Sequence, residues 1–170
     1  MVRYLLLVCA VVLFSSAVII VGARREEEST SCATTLPQDP SFVPPLPYWQ
    51  DATTGRFWYG TESLWTLLGV QGTWSMRGNV LEGKGYRTKL MYWRRGFDWR
   101  KEPQPELIVT ASRLDREAPT VAAEQANAVF VTGQTPSAMM TAIDIPTTGC
   151  WRLTARYRDQ NLSFVASVQP

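Results

Sequence analysis

A chain of 170 residues in which 45% are hydrophobic has room for one folded domain plus appendages. Its net charge of +2 argues against bulk attraction to nucleic acid or acidic lipid. The chain has no histidine, which excludes Ser-His-Asp and Cys-His nucleophile activation within it, and histidine-containing zinc sites as well.

The chain opens with a small positive patch, Met1–Arg3, and then a run, Tyr4–Ala23, that is apolar apart from Ser15 and Ser16. This predicts an apolar export helix over residues 1–23. Val21-Gly22-Ala23 fits a signal-peptidase site, and the run of about 20 residues is also long enough to remain as a membrane anchor. Residues 1–23 carry one arginine and no acid, so their removal takes the net charge from +2 to +1. Residues 24–47 pass from charged residues into Pro37, Pro40, Pro44, Pro45 and Pro47. That composition predicts an extended, semi-stiff tether holding a domain over residues 48–170.

Within the domain the signals are those of strands. Phe57–Tyr59 and Leu64–Leu68 read as a strand pair, or one bent strand broken at Gly60. Gly69–Gly83 carries four glycines and reads as a loop around a short strand at Thr73–Met76. Arg87–Arg95 and Glu106–Leu114 read as strands on either side of a polar loop, Gly96–Pro105. Thr120–Phe130 is alanine-rich and fits either extended chain or one helical turn, and Met139–Ile145 is a further strand. The last stretch is the most regular. Trp151, Leu153, Ala155 and Tyr157 alternate with polar residues, then Leu162, Phe164, Ala166 and Val168 do so again, with a polar turn at Asp159–Asn161. The expected fold is therefore all-β, an immunoglobulin-like β-sandwich closed by this hairpin. Its expected core includes Val109, Ile143, Ile145, Trp151, Leu153, Tyr157, Leu162, Phe164 and Val168.

Four segments occur in order: FWYGTESLW, YWRRGFDW, PELIVTASRLDREAP and IPTTGCWRLTARYRDQNLSFVASV. In combination they resemble a family of uncharacterised exported bacterial proteins with a terminal GCW hairpin, over roughly residues 57–168. The resemblance implies a secreted or surface Ig-like domain; it brings no activity and no catalytic residues.

Outside the export segment two cysteines remain, Cys32 and Cys150. In an oxidising compartment they can pair; the alternative is a half-buried Cys150 and a free Cys32. No phosphate loop, Rossmann fingerprint, nucleophile elbow or calcium loop is present, and no cofactor or metal is implied. Glu62, Asp98, Glu106, Asp115 and Asp144 are the carboxylates from which a glycosidase pair could be drawn, Asp98 and Glu106 being the least unsuitable. Most such acids in sandwiches are solvated turn residues. The unusual feature is seven tryptophans, more than one small core hides. Tyr92, Trp93 and Trp99 beside Arg94, Arg95, Arg100 and Lys101 form the candidate binding surface. Aromatic faces with adjacent guanidinium groups suit a protein or glycan of the cell envelope. The expected function is a non-enzymatic exported interaction module, with a two-carboxylate glycoside hydrolase and a passive structural domain as the alternatives.

Overall fold

The computed structural model describes residues 31–75, 80–81, 85–130 and 137–170. The expected export helix, residues 24–30 and the end of the short strand expected at Thr73–Met76 lie outside them. Every regular element among the described residues is a strand. These are β1 (Arg56–Thr61), β2 (Leu64–Gly69), β3 (Thr73–Ser75), β4 (Val80–Leu81), β5 (Gly85–Trp93), β6 (Leu107–Arg113), β7 (Val121–Ala122), β8 (Asn127–Val129), β9 (Ala138–Ile145), β10 (Gly149–Tyr157) and β11 (Gln160–Gln169). One sheet has the order β1-β2-β5-β9-β8, with β4 also on β5; the other runs β3-β11-β10-β6-β7. The two pack face to face as a sandwich, with inward residues of both sheets in one apolar core.

The closing hairpin folds as its alternation dictates. Trp151 pairs with Ala166, Leu153 with Phe164 and Ala155 with Leu162, and all six are buried. The intervening residues of β10 and β11 are half-buried or exposed. All nine expected core residues are buried. In the first hairpin the turn falls at Glu62-Ser63, while Gly60 lies inside β1 opposite Trp65. Gly60 is needed there for contact rather than for a break: a Cβ would meet Trp65 Cα at 2.7 Å. The alanine-rich stretch is extended, as β7 and β8.

The sandwich has two distinct ends. Thr147, just after β9, accepts a hydrogen bond from Arg113 at the end of β6, and Cys150 lies beside them at the start of β10. At the opposite end the guanidinium of Arg94, just after β5, lies over the ring of Tyr157, the last residue of β10.

Residues 31–47 are not a free tether. Cys32 is bonded to Cys150, with Cα atoms 5.3 Å apart. Thr35 N–H donates to the Val165 carbonyl and Thr35 Oγ1 accepts from Val165 N–H, so the strap continues along the β11 edge that β3 leaves open. It then crosses to the outer face of the first sheet. There Phe42 and Tyr48 set their rings 5.8 and 4.8 Å from that of Trp65. Beneath the strap Trp58, Trp65 and Trp93 form a second apolar core with Tyr48 and Ala138. This is why so many tryptophans fit in one domain: β1, β2 and β5 are buried on both faces.

Candidate functional site

The residues expected to form a binding surface separate into interior and surface groups. Tyr92 and Trp93 are 0% and 5% exposed and occupy opposite faces of β5, Tyr92 in the main core and Trp93 in the second core. Alternation at the end of a strand buried on both faces leaves neither ring available to a partner. Burial pushes the Tyr92 hydroxyl well above its ordinary pKa, and the hydroxyl has no hydrogen-bond partner among the described residues. These two residues are removed from the expected contact surface.

The other five come together on the loop that caps this end of the sandwich. Arg94 and Arg95 follow β5, and Phe97 plugs into the main core. The loop is pinned throughout. Arg95 N–H donates to the Glu62 carbonyl at 3.0 Å, Trp99 N–H to Ser137 Oγ at 3.3 Å, and Ala128 N–H to the Pro103 carbonyl at 2.9 Å. Asp98 organises the tip: its carboxylate accepts from Arg100 N–H at 3.0 Å, and its carbonyl accepts from Lys101 and Glu102. Tyr48, from the strap, donates its hydroxyl to the Arg94 carbonyl at 2.5 Å. Its pKa is raised by burial, against the lowering effects of the Gly96 and Phe97 backbone and of Arg94.

Two surface features result. The first is aromatic. Trp99 is half-buried, its ring 6.1 Å from that of Phe130, and Arg100 lies over it at 4.7 Å. Phe130 is 58% exposed. Sequence reading missed it, and a phenylalanine at the end of a polar, alanine-rich stretch was the available signal. The second is charged: a cleft of about 310 Å³ between the loop, the β1–β2 turn and the β10–β11 turn. Arg94 and Arg158 both lie over the Tyr157 ring, at 5.6 and 5.2 Å. Arg95 pairs with Glu62 at 3.0 Å and Arg158 with Glu102 at 3.2 Å. Glu102 also accepts from the Tyr157 hydroxyl at 2.5 Å, and burial together with this acid raises the tyrosine's pKa.

Four of the five carboxylates considered for acid–base work are held in structural roles. Glu62 serves Arg95 and Asp98 caps the loop. Asp144 accepts from Arg87 at 3.1 Å, and Asp115 accepts from Arg113 at 2.6 Å. Arg113 lowers the pKa of Asp115, the wrong direction for a general acid. Glu106 stands exposed before β6. Among the described residues no group of three or more His, Cys, Asp or Glu is placed to hold a metal ion.

No protein-family model, curated protein or solved structure matches this chain.

Proposed function

We propose that this chain is an exported, disulfide-stapled Ig-like module of the cell envelope that acts by binding a protein or glycan rather than by catalysis. Its contact surface is the loop-bearing end of the sandwich. The observation that carries the reading is the patch that Trp99 and Arg100, on a loop pinned by backbone hydrogen bonds, form with Phe130 at the end of β8. An exposed ring beside a half-buried one on a rigid support offers contact area without a large ordering cost on binding. The Cys32–Cys150 bridge supports an oxidising compartment, and the apolar segment at residues 1–23 supports export. The resemblance to exported proteins with a terminal GCW hairpin belongs to the same reading.

The test is retention of the purified, oxidised protein on isolated envelope fractions. A Trp99→Ala, Phe130→Ala double variant should lose retention, while Asp98→Asn keeps it. Equal retention of the double variant and the unaltered protein removes this surface. Glycan turnover that disappears in Asp98→Asn shifts the assignment to an enzyme.

A further inference from the structure

The charged cleft contains two charged groups that form no ion pair among the described residues. Of its three guanidinium groups, those of Arg95 and Arg158 have carboxylate partners, Glu62 and Glu102. Arg94 makes no ion pair among the described residues. Its Nε donates to the Arg95 carbonyl at 3.3 Å, and its guanidinium lies over Tyr157. Its backbone is fixed by the Tyr48 hydroxyl and Phe97 N–H on its carbonyl, and its side chain is held by the Nε bond and the Tyr157 ring. Arg94 is therefore a half-buried, preorganised cation, stacked on an aromatic face, the setting in which guanidinium recognises a planar carboxylate. Across the same cleft Asp159, exposed on the β10–β11 turn, makes no ion pair among the described residues either.

One unmatched cation and one unmatched anion in a single cleft define the complementary ligand. We propose that the cleft binds a zwitterionic peptide segment, a carboxylate seating on Arg94 and a neighbouring ammonium or guanidinium group on Asp159. A uniformly anionic chain would satisfy Arg94 but leave Asp159 without a counter-charge and facing a like one. The volume of about 310 Å³ suits one or two side chains rather than a folded surface. The proposal rests on the binding-module reading in sharing the same end of the domain, but it uses none of Trp99, Phe130 or Arg100.

The experiment is NMR titration of the oxidised protein with four probes: acetyl-Lys-Ala-Glu-amide, acetyl-Lys-Ala-Gln-amide, acetyl-Gln-Ala-Glu-amide and poly-glutamate. The first should perturb the Arg94 Nε–H and Tyr157 ring signals and bind at least tenfold more tightly than the second or third. Arg94→Gln should remove that preference for the carboxylate. Asp159→Asn, on an exposed turn where folding is undisturbed, should equalise the first and third probes. Poly-glutamate binding more tightly than the zwitterion, perturbations mapping away from the cleft, or both variants behaving as the unaltered protein would overturn the proposal. Envelope retention separates the two ideas. Retention lost in the Trp99, Phe130 double variant with no peptide response at Arg94 leaves the module reading standing and removes this one. A peptide response at Arg94 without envelope retention does the reverse.

Discussion

At the scale of single residues, the disulfide end shows how two segments distant in sequence form one unit. Arg113 has a side chain only 5% exposed; it donates through Nε and Nη2 to the two oxygens of Asp115 and through Nη1 to Thr147, and it lies 5.6 Å from the Trp151 ring centre. Leu114 N–H donates to the Cys150 carbonyl, so the RLD and GCW segments are locked together. Gly149 makes room for this. Its φ is +137°, and a Cβ there would collide with the Arg113 guanidinium and come within 2.7 Å of Asp115 Oδ2. Gly149→Ala should therefore cost at least about 1–3 kcal/mol in urea unfolding, from backbone strain before any loss of the ion pair. Arg113 lowers the Asp115 pKa, chiefly by hydrogen bonding, so the pair's contribution is complete above the ordinary carboxylate range and fades as pH falls through the depressed value. Asp115→Asn should destabilise at pH 7, and its deficit should begin to narrow below about pH 4, where the unfolded chain's carboxylate takes up a proton while the native one still holds its charge, and should close at lower pH as the native carboxylate is protonated in turn. A deficit independent of pH would show that charge is not what the pair contributes. Tyr92 gives the opposite expectation. Its buried hydroxyl has no partner among the described residues, so Tyr92→Phe should raise stability by about 1 kcal/mol, read as a higher denaturation midpoint.

At the scale of elements, legibility followed periodicity. β10 and β11 were readable to the residue because nine paired positions alternate against a single core, and a one-residue slip would expose every apolar side chain. β5 was found as a strand, yet the roles of its last residues were misread. Tyr92 and Trp93 cannot both be buried in a sheet with one solvated face, and only the strap gives the first sheet a second covered face. The strap itself was hidden by its prolines, which suggest a spacer when counted. Phe42 and Tyr48 among those prolines were the contrary signal, since a solvated spacer has no use for large apolar rings. The loop expected at Gly96–Pro105 does lie between β5 and β6, but Phe130 and the Tyr157–Gln160 wall beside it come from distant strands that no local pattern links to Arg94. The strap's structural role leads to a specific expectation. A chain beginning at Tyr48 keeps every strand but loses the Trp65 contact of Phe42, the Thr35–Val165 pairing and the disulfide. It should melt well below a chain beginning at Ser31, and its Trp65 environment should report greater solvent exposure by fluorescence. Equal melting temperatures would return residues 31–47 to the status of a spacer.

At the scale of the whole molecule, the disulfide and the strap connect the two ends that the strands hold apart. From Cys150 to Tyr157 along β10 is about 23 Å at the usual strand rise of about 3.3 Å per residue. Cys32 starts at one end of that distance, and Tyr48 finishes at the other with its hydroxyl on the Arg94 carbonyl. The bridge joins residues 118 apart in sequence, so it closes most of the domain into one loop. In the chain-entropy account such a closure stabilises by about 4–5 kcal/mol, chiefly by restricting the unfolded chain. That is a large share of the 5–15 kcal/mol typical of a whole domain. Reduction should thus lower the free energy of unfolding by about 4–5 kcal/mol without dismantling the sandwich, because the main core takes no residue from the strap. Cys32→Ser should reproduce the reduced protein's stability and should be indifferent to added reductant. The comparison of guanidinium unfolding curves for the oxidised, reduced and Cys32→Ser proteins decides the matter. A reduced protein that unfolds outright at 25 °C would mean that the strand core alone falls short of stability. One that unfolds with an unchanged midpoint would mean that the strap is held by Phe42, Thr35 and Tyr48 and that the covalent link adds nothing to them.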